Sequence, residues 1–192
     1  MAESVKTKTM IASALIELCE KKDYAKISIQ EITTRCDINR QTFYYHFSDK
    51  KALLRWVYHN DSLKYLTSKD VSLDNWEEQV LKMLKQMQQI SSFYATTLQG
   101  DRSILMDEFF QIVQNMFHQL LLQVDEEQVL SEKDLQFYTR FFSFGCSGIL
   151  ETWIKEGFQE SPMEIAMELF RLAQDIEAFS YRLYQKNGEV TK

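Results

Sequence analysis

The sequence predicts an all-α fold of about nine helices, and three observations support this. Only five glycines and one proline occur in 192 residues, too few for the turn-dense connections of β architectures. Apolar side chains recur at three- and four-residue spacing over long stretches, the pattern of helices with a buried face. Ser, Asn or Asp precedes several of those stretches, where a helix start needs a side-chain acceptor. A chain of this length with 45% apolar residues closes a core without metal or disulfide. Cys19, Cys36 and Cys146 are odd in number and far apart. They read as small buried side chains in a reducing compartment.

In chain order, Ile11, Ala14, Leu15 and Leu18 form one stripe and predict a first helix from about Val5 to Lys22. Ser28-Ile29-Gln30-Glu31 has capping-box spacing and opens a short second helix ending near Cys36. Asp37-Ile38-Asn39 makes a turn, with Asn39 as cap of a third helix, Arg40 to Phe47. Asp49 opens a fourth, carried by Leu53, Leu54, Trp56, Val57 and Leu66. Further helices are predicted at about Asp74–Gln89, Phe93–Leu98, Asp101–Val124 and Ser131–Glu156. Ser161-Pro162-Met163-Glu164 announces the last, with Ser as cap and Pro at the first helical position, running to Lys186.

The charge is divided unevenly. Residues 1–56 hold ten Lys/Arg against seven Asp/Glu, a net of +3; residues 57–192 hold 12 against 21, a net of −9. A basic end on an acidic body is an arrangement of nucleic-acid readers. Two short helices joined by a three-residue turn and packed on a longer one form a helix-turn-helix. Its second short helix lies in the major groove and presents side chains to base edges. Here that helix offers Arg40, Gln41, Thr42, Tyr44, Tyr45 and His46 outward, with Phe43 and Phe47 inward. Arg40 suits a guanine edge and Gln41 an adenine edge. Thr42, Tyr44, His46 and Lys50 suit phosphate contacts. An ordinary helical corner with a solvated face satisfies the same spacing.

Residues Ser28 to Leu54 closely resemble the DNA-binding domain of TetR-family transcriptional regulators. An aromatic run ends in Tyr44-Tyr45-His46-Phe47, then come a short turn, Lys50 and the Leu53-Leu54 helix. The family usually places glycine in the helix-turn-helix turn; this chain has Asp37, which tolerates the left-handed region better than most residues. The resemblance implies DNA contacts at Ser28, Gln30, Arg40, Gln41, Thr42, Tyr44, Tyr45, His46 and Lys50. It divides the chain into a helix-turn-helix domain, 1–56, and a helical dimerisation and regulatory domain, 57–192.

The last two long helices carry apolar residues around most of their circumference, which requires cover on more than one side. A partner subunit meeting them in a two-fold four-helix bundle provides it. Phe141, Phe144, Gly148, Trp153, Leu169, Leu172 and Ile176 are the expected interface. Trp76, Met83, Met87, Phe109, Met116 and Phe141 are candidates for a ligand cavity, though the same side chains also suit plain core filling.

Catalytic and cofactor motifs fail. No Glu stands three residues before His46, His59 or His118, so a carboxylate-bridged metal bundle is unsupported. Gly145-Cys146-Ser147-Gly148 is one residue short of a nucleophile elbow and follows no strand. No phosphate-binding glycine loop occurs, so no enzyme, cofactor or metal site is expected. No apolar run reaches the ~18 residues of a membrane span, and a cytoplasmic location is expected.

Across its length the chain is similar to the TetR-family branch that regulates dihydroxyacetone kinase operons. That similarity implies activation on double-stranded DNA with a dihydroxyacetone-kinase-like coactivator protein. A repressor released by a small ligand, and a helical protein-interaction module with no DNA role, are the alternatives.

Overall fold

The computed structural model describes residues 2–67, 71, 72, 74–125 and 130–175, and among them every regular element is helical. The elements are α1 (Ala2–Cys19), a 3₁₀ turn (Tyr24–Lys26), α2 (Ile29–Arg35), α3 (Arg40–His46), α4 (Lys50–Asp61), α5 (Lys64–Thr67), α6 (Trp76–Gln89), α7 (Ser91–Gly100), α8 (Arg102–Val124) and α9 (Glu132–Lys155). Residues 162–175 form a further helix, α10. The chain divides into two compact units, Met1–Gln159 and Glu160–Lys192.

Local cap chemistry sets most helix starts. Ser28 and Glu31 close the expected capping box, and Asn39, Asp49 and Ser131 each accept a backbone N–H from the first turn of the helix that follows. In the second unit Ser161 accepts from Glu164 N–H at 3.2 Å while Glu164 accepts from Ser161 N–H at 2.7 Å. The turn after α2 is a Schellman motif: Ile38 N–H reaches Thr33 O and Asp37 N–H reaches Thr34 O. Asp37 occupies the left-handed position at φ 55°.

The expected fourth helix is two. It breaks after Asp61 because Ser62 and Leu63 are both buried by contacts from distant sequence. Tyr94 donates its phenolic proton to Asp61 Oδ2 at 2.9 Å, and Ser62 donates to the same Tyr94 oxygen at 2.6 Å. Gln86 donates to the other Asp61 oxygen at 2.8 Å. Burial raises the Asp61 carboxyl above its ordinary range, opposed by these two donors.

Helix α9 turns a mixed apolar and hydroxyl face inward. Its buried residues are Leu135, Thr139, Ser143, Ser147, Leu150, Trp153 and Ile154. Small hydroxyl side chains thus occupy the middle of the inward face, along which α8 and α9 pack. Ser143 donates to Thr139 O at 2.7 Å, one turn back. Phe137, Tyr138, Phe141, Phe144 and Ile149 are left outside, with Phe141 65% and Phe144 62% exposed.

Two expectations need correction. Trp153 is buried by the chain itself, 1% exposed, where an interface residue was expected. It lies three residues inside the α9 terminus, where Gly157 (φ 74°) turns the chain back and Phe158 lays its ring edge-on against it at 4.6 Å. This is the apolar contact that accompanies a Schellman ending. Phe141 does not share an interior with Met83, Met87, Phe109 and Met116, which are buried. It lines an open apolar groove on the outer face of α9 with Phe137, Arg140, Phe144 and Gly145. Trp76 is half-buried. Leu169 is half-buried and Leu172 exposed on α10; Ile176 lies outside the described residues.

Gly100 ends α7 directly against the 3₁₀ turn. A Cβ there stands 2.9 Å from Tyr24 Cδ1 and 3.3 Å from the Ala25 backbone nitrogen. Alanine normally gains ~1 kcal/mol over glycine in a helix. Tyr24 is buried and its neighbour is backbone, so neither can retreat freely. Gly100→Ala is therefore expected to destabilise by ~1–3 kcal/mol, the usual cost of overpacking. The urea midpoint should fall with an unchanged m-value; a raised midpoint refutes the close fit.

Candidate nucleic-acid interface

The reading surface is built on α3. Phe43 and Phe47 are buried, with ring centroids 5.9 Å apart, and Phe47 meets Trp56 edge-on at 6.0 Å. These inward rings turn the opposite side of a seven-residue helix outward. Arg40, Gln41, Tyr44 and Tyr45 are exposed, Tyr44 at 48% and Tyr45 at 83%. Arg40 Nη2 donates to the Tyr44 hydroxyl at 3.5 Å, a long contact that leaves the guanidinium free for a better acceptor. His46 is half-buried and stands edge-on to Tyr45 at 5.0 Å.

Other expected contact residues spend part of their hydrogen-bonding capacity inside the protein. Thr42 gives both its backbone N–H and its hydroxyl proton to Asn39 Oδ1, at 2.7 and 3.0 Å. Its hydroxyl therefore faces a ligand only as an acceptor. Ser28 Oγ accepts from Glu31 N–H and donates to Glu31 Oε2. Lys22 donates to the same carboxylate at 2.5 Å. The Lys22 ammonium and then the Ser28 donors hold the Glu31 carboxyl at about 2. Gln30 is exposed on α2, its amide donating to Thr34 Oγ1 at 3.3 Å.

Lys50 departs furthest from expectation. Its ammonium is turned inward, donating to Ile27 O at 2.7 Å and Tyr24 O at 2.9 Å. It also sits 4.2 Å from the Tyr24 ring centroid. Burial pushes its pKa below the ordinary lysine value. These contacts tie the first turn of α4 to the segment that launches α2. Their partners are backbone carbonyls and a ring, so no residue-type signal announces them.

Helix α4 then mounts this unit on the rest. Lys51 pairs with Asp101 at 2.7 Å; Arg55 and His59 reach Glu108 at 3.2 and 2.8 Å. The Lys51 contact comes first among the causes that lower the Asp101 carboxyl.

A helix-turn-helix with an outward Arg-Gln-Tyr-Tyr surface is thus carried on an ion-paired support. Residues 11–57 match the family described as bacterial regulatory proteins, tetR family, and residues 74–175 match a transcriptional regulator C-terminal region. The chain belongs to the TetR family. It is a DNA-binding transcription regulator, similar to the HTH-type dhaKLM operon transcriptional activator DhaS of Lactococcus lactis subsp. lactis (strain IL1403). The two are 26% identical over 137 residues, 71% of this chain and 72% of that one. The uncharacterized HTH-type regulator YxbF of Bacillus subtilis (strain 168) is 25% identical over 87% of this chain but only 44% of its own length. The solved structure of a dihydroxyacetone kinase operon activator DhaS shares the fold, with a TM-score of 0.70 and 24% identity over 88% of this chain and 94% of that one.

Within this TetR-family frame the inward Lys50 yields a separable expectation. Lys50→Gln removes the ammonium from two backbone acceptors and should cost ~1–3 kcal/mol of stability. DNA affinity should fall with it. The slope of log K against log salt should stay at its wild-type value, because no phosphate contact is lost. A slope reduced by ~0.9 per bound protomer would instead make Lys50 a phosphate ligand.

Proposed function

We propose that the protein is a homodimeric, sequence-specific activator of a dihydroxyacetone kinase operon, acting with a kinase-like coactivator protein. The observation that carries this reading is the similarity to the dhaKLM operon activator, which spans over two thirds of both chains. Residues 1–56 act as the DNA-binding part and 57–192 as the dimerisation and regulatory part. Arg40 and Gln41 read base edges, and Tyr44, Tyr45 and His46 fix register on phosphates. Two copies place their α3 helices in successive major grooves, ~34 Å apart or a multiple of it.

The outer face of α9 supports dimerisation. Phe137, Phe141 and Phe144 recur at helical spacing, more than half of each exposed, and Gly148 leaves open space beside them. Desolvating such rings against their copies is worth ~25 cal/mol per Å². Leu172 and the exposed Met167 and Phe170 on α10 present further apolar surface.

DNA selection from a random pool should return a near-palindrome. Arg40→Ala combined with Tyr44→Phe should abolish its recognition while leaving the dimer intact, since both side chains face outward. Loss of the arginine alone should cost ~1–3 kcal/mol of discrimination at one base. An unchanged affinity and sequence preference would remove α3 from the reading role.

Phe141→Asp with Phe144→Asp should give monomers in light scattering, with far-UV dichroism retained. A dimer that survives both substitutions would place the interface elsewhere. For the regulatory partner, copurification with a kinase-like protein supports activation. A small molecule that releases the protein from its selected DNA would assign a repressor instead.

A further inference from the structure

The geometry points to a DNA-contacting element outside the helix-turn-helix. Lys6 and Lys8, on the first turns of α1, neutralise backbone phosphates that border the groove that α3 enters. This rests on the DNA-binding assignment and extends it to the part of α1 that precedes the matched residues 11–57.

The ten cations in residues 1–56 fall into three groups. Lys22, Lys26, Arg35, Lys51 and Arg55 each pair with a carboxylate, respectively Glu31, Asp23, Glu17, Asp101 and Glu108. Lys50 is spent on backbone carbonyls. The remaining four, Lys6, Lys8, Lys21 and Arg40, pair with no carboxylate among the described residues. Glu3, the acid of the first turn of α1, pairs with none of them. Lys21 lies past the far end of α1, ~20 Å along the axis from Lys8 at 1.5 Å per residue. The other three cations belong to the α3 end of the domain.

Their placement follows from helical geometry and two contacts. Lys8 continues the buried line of Ile11, Ala12 and Leu15 outward, half-buried, with its ammonium 5.6 Å from the Phe47 ring centroid. Phe47 is the C-cap of α3. Lys6 is two residues earlier, ~200° around the helix. It stands one turn before Met10, whose carbonyl accepts the Cys36 thiol at 3.7 Å from the end of α2. Lys8 therefore stands toward the C-terminal end of α3, and Lys6 is exposed on the line of α1 that runs to Met10. The recognition helix lies in the major groove, and exposed cations beside it face the phosphates that border that groove.

Elsewhere in this domain five of the seven other cations are paired with a carboxylate. Three unpaired cations around one short helix repel each other in the free protein. Phosphates supply the missing counter-charge, and displaced counterions supply free energy that falls with salt.

The test is the salt dependence of binding to a duplex of random sequence, followed by fluorescence anisotropy, which requires no operator. Lys6→Gln and Lys8→Gln should each lower the magnitude of the log K against log salt slope by ~0.9 per bound protomer, additively in the double variant. Lys8→Arg and the distant Lys21→Gln should keep the wild-type slope. The affinity loss should be the same fold on random and selected DNA, because phosphates carry no sequence information. A double variant with the wild-type slope overturns the inference while leaving the DNA-binding assignment standing. Thermal melting monitors Lys8→Gln, whose ammonium contacts Phe47. If that variant fails to fold, the exposed Lys6→Gln decides alone. A wild-type protein with no salt-dependent binding to any duplex overturns both.

Discussion

Helix α4 must satisfy two cores at once, and the rest of the structure is arranged around that constraint. Leu53, Leu54, Val57 and Tyr58 are buried along its length. Tyr58 stacks near Phe93 and Tyr94 of α7, while Trp56 meets Phe47 behind the recognition helix. Exposed ion pairs such as Lys51–Asp101 are worth only ~0–1 kcal/mol each. The ion pairs therefore orient α4, and the buried rings hold it. The reading unit is mounted on the body by packing, not by a flexible linker. The expected boundary at Trp56 falls inside this helix.

That mounting has a consequence for regulation. A ligand or partner changes DNA binding only if it binds two arrangements of the protein with different free energies. In this chain such an arrangement involves the seat of α7 on the 3₁₀ turn at Tyr24 and α4, which joins Lys50 at one end to Asp61 at the other. Glu108, held by both Arg55 and His59, anchors α8 to the same helix. A shift of α8 therefore displaces the support of α3 or breaks this carboxylate's contacts. Packed interiors resist continuous deformation, which favours two discrete arrangements over a graded one.

How much was legible in the sequence depends on the range of the interaction responsible. The caps at Ser28, Asn39, Asp49 and Ser161 were readable because donor and acceptor lie within one turn. The outward set on α3 was readable because Phe43 and Phe47 mark the inward side at helical spacing. The break after Asp61 was not, because its cause, Tyr94, lies 32 residues from Ser62. The inward face of α9 was not readable, because hydrophobic periodicity counts Thr and Ser as outward. Thr139, Ser143 and Ser147 are buried against that rule, since their small size lets α8 and α9 approach closely. Trp153 was read as interface because the Phe158 turn that covers it becomes visible only once α9 ends. In the site, outward direction came from sequence; the engagement of Ser28, Thr42 and Lys50 inside the protein needed coordinates.

The net charge of −6 on a DNA-binding protein is resolved by asking which charges are free. Residues 57–192 carry a net −9, and a surface of that sign disfavours approach to phosphate. Within residues 1–56 half of the cations are paired with carboxylates, three with acids of the same segment and two with Asp101 and Glu108, so the nominal +3 is not spread evenly over the surface. A protein arranged this way gains little from non-specific contact with its body and depends on a few exposed groups. Specificity follows from that economy. Weak uniform attraction leaves the side chains of α3 to supply most of the difference between one DNA sequence and another.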